Sequence, residues 1–104
     1  MRVVRIHEAA SREAIEAAAW YEDQRPGLGV EFERAIDAAL DLLEEHIVPL
    51  SPVPFSARAR GVKRLILKRF PFDVVVVERQ SEVFIIAFAH HARRPGYWRL
   101  RRRG

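Results

Sequence analysis

Within nine residues, His90-His91-Ala92-Arg93-Arg94-Pro95-Gly96-Tyr97-Trp98 brings together two imidazoles, two guanidinium groups and a phenol. A base, phosphate clamps and a proton donor are what metal-free RNA cleavage by 2′-hydroxyl attack requires, and aromatic rings can stack on bases. The same residues also suit a plainer role, in which Tyr97 and Trp98 fold back to cap a sheet while Arg93 and Arg94 stay solvated. For Trp98 the cap is the favoured reading. His90 and His91 are adjacent on a strand end, so they face opposite ways and do not readily share a metal. His7 and His46 are not spaced to complete a site. No metal and no cofactor is expected.

A second basic group precedes this cluster. Arg64 and Lys68 sit four apart in an expected strand and share a face with Ile66 between them, while Lys63 and Arg69 point to the other face. Arg58 and Arg60 lie in the loop before. A basic patch built on a strand can hold phosphates by charge neutralisation, or it can be a solvated face. The terminal cluster Arg99, Arg101, Arg102 and Arg103 is a weaker signal. Other chemistries fail on inventory. The chain has no cysteine, which excludes disulfides, thiolate metal sites and a cysteine nucleophile. Its serines lie in no nucleophile-elbow context, and there is no glycine-rich phosphate loop. Asp73, Glu78 and Glu82 are isolated carboxylates among the basic strands.

These residues need a scaffold, and hydrophobic periodicity supplies one. Residues 2–7 are β-branched and loosely alternating, which predicts a short strand. Ala9 to Gln24 is rich in strong helix formers, with Ala14, Ala18 and Tyr21 on one stripe flanked by Ile15 and Ala19. Trp20, Tyr21 and Glu22 read as core aromatics followed by a surface acid. The Pro26-Gly27-Leu28-Gly29 break precedes a second amphipathic helix, whose stripe is Phe32, Ile36, Leu40, Leu43 and Ile47. A short turn makes the two an antiparallel hairpin. Pro49, Pro52 and Pro54 then enforce an extended connection. Val62 to Arg69, Phe72 to Arg79 and Glu82 to His91 read as three strands with short links, so they run antiparallel. The expectation is an α+β domain, β-α-α-β-β-β, an antiparallel sheet with the helical hairpin packed on one face. In the last strand, alternation puts Phe84, Ile86 and Phe88 on one face and Val83, Ile85, Ala87 and Ala89 on the other. Both faces are apolar and one hairpin covers only one. Either the C-terminal segment covers the second or another chain does, and a docked partner is the expectation.

Length and charge bound the rest. With 104 residues the chain fits a single domain, 1–104, in which 99–104 reads as a basic tail outside the packed part. No apolar run approaches the roughly 20 residues that cross a bilayer, and the N-terminus lacks the apolar stretch of a secretion signal, so a cytoplasmic protein is expected. The net charge of +4 conceals a partition. Residues 1–52 carry five arginines against eleven carboxylates, and residues 53–104 carry thirteen basic groups against three, giving −6 and +10. That asymmetry favours an anionic partner.

Ala18-Ala19-Trp20-Tyr21-Glu22, Gly27-Leu28-Gly29 with Phe32, Arg69-Phe70-Pro71-Phe72, and Ala87-Phe88-Ala89-His90 followed by Arg93 to Trp98 together resemble the RelE/ParE toxin superfamily of type II toxin–antitoxin systems, often labelled plasmid stabilisation proteins. The resemblance spans nearly the whole chain and rests on the order and spacing of these motifs. It implies the same β-α-α-β-β-β fold, a toxin that inhibits bacterial growth, and a cognate antitoxin as partner, in a homodimer or a toxin–antitoxin hetero-oligomer. RelE-like members are mRNA endoribonucleases that act on the translating ribosome, and ParE-like members poison DNA gyrase by binding it. By position the resemblance implies Arg64, His91 and Tyr97 as nuclease residues. Under that alternative Lys68 and Arg69 on the basic strand would join Arg64 in holding phosphate, and Arg58, Arg60, Arg93, Arg94 and Trp98 are the candidate contacts to a nucleic acid or other target. Asp73 stands where the nucleases place an arginine against the scissile phosphate. A carboxylate there repels an anion. That departure tips the expectation toward the ParE-like branch, with the endoribonuclease and a non-toxic nucleic-acid-binding relative as alternatives.

Overall fold

The computed structural model describes residues 1–46, 50–53 and 61–102. Strand β1 (Val3–Ile6) leads into helix α1 (Glu8–Gln24) and helix α2 (Leu28–Glu44). Strands β2 (Ser51–Pro52), β3 (Val62–Ile66), β4 (Phe72–Glu78) and β5 (Glu82–His90) follow, then a short 3₁₀ turn at Arg99–Arg101. The architecture is α+β, with the strands in the spatial order β1-β5-β4-β3-β2. Ile47, Pro49, Pro54, Arg58 and Arg60 lie outside the described residues.

Alanine lets α1 lie close to its neighbours. Ala10 and Ala18 are buried, Ala14, Ala17 and Tyr21 pack against the same core, and Ile15 instead points outward at 68% exposure. His7 caps the helix, its Nδ1 accepting from Ala9 N at 3.0 Å. On α2 the buried stripe is Phe32, Ile36, Ala39 and Leu43, with Leu40 at its margin. Gly27 enters the turn at φ +90°, a conformation that other residues adopt with strain. Glu22 is more than a surface acid. Its carboxylate accepts from Gly27 N at 2.9 Å and Gly29 N at 3.0 Å, satisfying donors that a helix start otherwise leaves open.

Strands β3, β4 and β5 form an antiparallel meander, as their short links require. No short link ties β1 to β5, and β1 joins the free edge of β5 in parallel, so the sheet as a whole is mixed. β2 adds two residues at the opposite edge, where the sequence suggested only an extended connection. β3 ends at Ile66 and does not continue to Arg69. Leu67 and Phe70 both turn into the core under the helices, and Phe70 packs at 5.0 Å from Tyr21 and 5.1 Å from Phe32 between ring centroids. That aromatic contact swings the 67–71 turn toward the hairpin.

The hairpin buries Val74, Val76, Val83, Ile85 and Phe88 on one sheet face. The second face carries Val62, Val75, Val77, Phe84, Ile86, Ala87 and Ala89, and Trp98 from the chain's own C-terminal segment closes it. The expected docking partner is therefore not needed to bury these residues. Strict alternation also fails in β5. Val75 pairs with Ala87 and Val76 with Ile85, leaving Ile86 as an extra residue in a β-bulge. Beyond it the faces exchange, so Phe88 points to the helices and Ala87 and Ala89 to the second face.

The N-terminus is fixed by a charged lock. Arg2 donates from Nη2 to Leu43 O at 2.9 Å and from Nη1 to Glu78 Oε2 at 2.6 Å, and Lys63 Nζ donates to Glu78 Oε1 at 2.9 Å. These hydrogen bonds, that of Lys63 first and then that of Arg2, hold the Glu78 carboxyl below its ordinary range. A carboxylate with a depressed native pKa stabilises the fold above its unfolded value of about 4.3, and that contribution fades as pH falls through the native value. Thermal melts of the wild type should therefore lose midpoint on acidification below about pH 4.3, and Glu78→Gln should flatten that decline while lowering the midpoint at pH 7. At the hairpin turn, a Cβ on Gly29 meets Ala18 O at 2.6 Å. Alanine gains about 1 kcal/mol of helix propensity over glycine, but overpacking costs about 1–3 kcal/mol and the obstacle is backbone. Gly29→Ala should thus lower stability in urea unfolding, and a neutral or raised midpoint would contradict the contact.

Candidate functional site

The second sheet face carries one well-formed hollow, of about 270 Å³, roofed by the segment after β5. Val53, Ile66, Val75 and Ala89 give it an apolar floor, and Arg64, Asp73, His91, Arg93, Arg94 and Tyr97 supply the polar walls. Strand parity explains the grouping. Arg64 and Ile66 on β3, Asp73 and Val75 on β4, and Ala89 on β5 with His91 just beyond all share this face.

Asp73 is the centre of the charged part. Its Oδ2 accepts from Arg64 Nη1 at 3.1 Å, and its Oδ1 lies 2.8 Å from His91 Nε2. A carboxylate only accepts, so the hydrogen in this contact comes from Nε2. The carboxylate thereby neutralises the arginine that a phosphate would need. Arg64 Nε is buried without a hydrogen-bond partner among the described residues.

Tyr97 lines the hollow, yet its hydroxyl is committed elsewhere. It donates to Glu13 Oε2 on α1 at 2.6 Å. Burial first, and then this hydrogen bond, push its pKa up, so the phenol gives up its proton less readily than an ordinary tyrosine. Arg93 stacks on the Tyr97 ring at 4.0 Å from the centroid, with Arg101 5.1 Å away. Glu13 also accepts from Phe88 N at 3.1 Å and pairs with Arg101 Nη1 at 2.9 Å, while Arg101 donates to Ile86 O at 3.2 Å. Beyond the end of β1, the open edge of β5 is therefore satisfied by side chains.

The expected residues divide. Arg64, His91 and Tyr97 meet around the hollow, and Arg93 and Arg94 are exposed at its rim. Lys68 is exposed in the turn after β3 and Arg69 pairs with Glu31 of α2 at 3.2 Å, so neither lines it. The strand that was to align Lys68 with Arg64 ends two residues too early. Trp98 is only 5% exposed and caps the second sheet face, while also lining the hollow. Arg58 and Arg60 lie outside the described residues. Glu13 went unnoticed in the sequence because its partners are 75 and 84 positions away. His90 takes the opposite face from His91, as expected, and meets Phe72 edge-on at 5.0 Å. Among the described residues no three His, Cys, Asp or Glu side chains converge as a metal site would need.

The fold has a solved counterpart in a chain of the chromosomal ParDE TA system from P. aeruginosa, with a TM-score of 0.71 at 17% sequence identity, covering 86% of this chain and 96% of that one. The fold is ParE-like. No protein-family model matches the chain, and no curated protein matches it. The resemblance read from the motifs thus agrees with the ParE-like fold in three dimensions. Among the described residues no helix is long and apolar enough to cross a membrane.

In this ParE-like fold, the bond between Tyr97 and Glu13 is a structural tie. Tyr97→Phe removes one hydrogen bond to a charged acceptor, worth about 1.5–3 kcal/mol. Its unfolding free energy in urea should drop by that amount with the fold retained. Unchanged stability would show that the tie is idle.

Proposed function

We propose that this chain is the toxin of a type II toxin–antitoxin system and arrests bacterial growth in the cytoplasm by binding a target, with an acidic cognate antitoxin as its neutralising partner. The ParE-like fold supports the toxin assignment. The observation that carries binding over catalysis is the engagement of Arg64 by Asp73 at 3.1 Å and of the Tyr97 hydroxyl by Glu13 at 2.6 Å. A phosphate clamp and a proton donor that are both occupied are poorly placed for strand cleavage. DNA gyrase is the target that the resemblance implies, and the rim arginines Arg93 and Arg94 offer it contacts. Lys68, Arg69, Arg58 and Arg60 add positive charge on the same basic half.

One observation favours the ribosome-dependent endoribonuclease as a second reading. His91 and Asp73 form an imidazole–carboxylate pair at the hollow, the arrangement that orients a general base. Inducing the chain alone in bacteria separates the two. Growth should stop, gyrase cleavage complexes and DNA breaks should accumulate, and primer extension should find no new mRNA ends. His91→Ala and Tyr97→Phe should keep the arrest wherever they keep the fold. New ends confined to translated codons, abolished by both substitutions, would establish the endoribonuclease instead. Harmless induction would leave the non-toxic nucleic-acid-binding relative.

A further inference from the structure

The outer side of the helical hairpin and the C-terminal turn are two exposed surfaces that the fold leaves unmatched. Along the seam between α1 and α2 runs a groove of about 410 Å³, continued by a smaller one of about 160 Å³ that shares Ile15, Ala18 and Glu33 with it. Ala18 and Ala19 form the floor, and Ile15 and Val30, 68% and 48% exposed, stand as apolar walls. Its charge is of one sign. Glu22, Glu33 and Asp37 line it and no cation among the described residues does. Glu22 is held by backbone donors, and no ion pair engages Glu33 or Asp37 among the described residues. The C-terminal turn offers the opposite. Leu100 is 97% exposed, and its neighbour Arg99 is exposed and unpaired among the described residues. The base beneath them is nevertheless fixed, since Trp98 is buried on the second sheet face and Arg101 binds both Glu13 and Ile86 O. An apolar knob on a fixed base loses little freedom when it is buried, so its burial is expressed in affinity. We propose that Leu100 of one molecule seats in the hairpin groove of a second copy, between Ile15 and Val30 with Arg99 facing Glu33, so that the chain associates head to tail.

Charge dictates that the pairing is heterologous. Groove against groove would oppose carboxylates to carboxylates, and turn against turn would oppose arginines to arginines. Nor does a chain fill its own groove. Trp98 and Arg101 pin the turn to the second face and the β5 edge, whereas the groove opens on the solvent side of the hairpin, across the sheet. A head-to-tail contact leaves one knob and one groove free at every stage, so it propagates into a chain or closes into a ring. With one leucine and one ion pair at its centre the contact is small, and the association is weak and salt-sensitive.

Sedimentation velocity of the full-length chain provides the test. The weight-average sedimentation coefficient should rise from micromolar to millimolar concentration at low ionic strength, and about 0.5 M sodium chloride should reverse most of the rise. Leu100→Asp removes the knob and Glu33→Arg reverses charge in the groove, and each should weaken self-association about tenfold or more. Both positions are exposed, and an unchanged thermal midpoint confirms that each variant keeps the fold. Glu45→Arg, an equal change of charge at the far end of α2, should leave the association as it is. The mixture is decisive. Leu100→Asp retains its groove and Glu33→Arg retains its knob, so together they should form one-to-one dimers with about the wild-type contact affinity and grow no further. A chain that stays monomeric at millimolar concentration would overturn the proposal. Self-association that survives Leu100→Asp, or two variants that fail to pair on mixing, would overturn it as well.

Discussion

β5 is buried on both faces, and a two-helix hairpin can shield only one of them. Everything else in the architecture answers that constraint. The hairpin closes over Val83, Ile85 and Phe88, and the segment after His90 doubles back to lay Trp98 over Phe84, Ile86 and Ala87. Loss of a buried tryptophan side chain costs about 3–5 kcal/mol, against a total stability of about 5–15 kcal/mol for a domain of this kind. The C-terminal segment is therefore part of the fold and not an appendage. Glu13 joins the two covers, since one carboxylate on α1 holds Tyr97, Arg101 and the free edge of β5 at Phe88.

The bulge at Ile86 decides whether there is a hollow at all. Had strict alternation continued, Phe88 would stand on the second face and fill the space beside Val75. The extra residue sends Phe88 into the helix-side core and turns Ala87 and Ala89 outward in its place. Two methyl groups where an aromatic ring was due leave room under the C-terminal segment. Bulges recur where a strand must re-aim its side chains, and here the re-aiming is what exposes a floor to Arg64, Asp73 and His91.

Much of this was legible in the sequence, for identifiable reasons. Helix α2 announced itself because Phe32, Ile36 and Leu43 recur at helical spacing, and the β4–β5 hairpin because two apolar runs flank Gln80-Ser81. The opposite facing of His90 and His91 follows from strand geometry alone. What escaped were features that depend on distant partners or on broken periodicity. Nothing near Glu13 marks it off from the other acids of α1, and the bulge leaves no trace in the run Val83-Phe84-Ile85-Ile86-Ala87. Read from the sequence, β3 runs on to Arg69 only because Lys68 and Arg69 continue its basic character, whereas Leu67 and Phe70 turn toward the helices. That turn separates Lys68 and Arg69 from Arg64, and with them two of the three cations expected to hold a phosphate.

The partition of charge along the chain also changes meaning once the pairs are known. Two cations of the basic half are balanced by acids of the helical hairpin, Arg69 by Glu31 and Arg101 by Glu13. In the other direction, Arg2 and Arg5 near the N-terminus balance Glu78 and Glu82 on the sheet. The asymmetry by sequence is thus partly a set of internal seams between the two halves, and an ion pair that spans them contributes little field outside. Asp73 continues the pattern by binding Arg64 within the hollow itself. The cationic character that remains there sits at the rim, on Arg93 and Arg94. An anion attracted to this face therefore meets positive charge at the mouth and a neutralised, aliphatic floor beneath it.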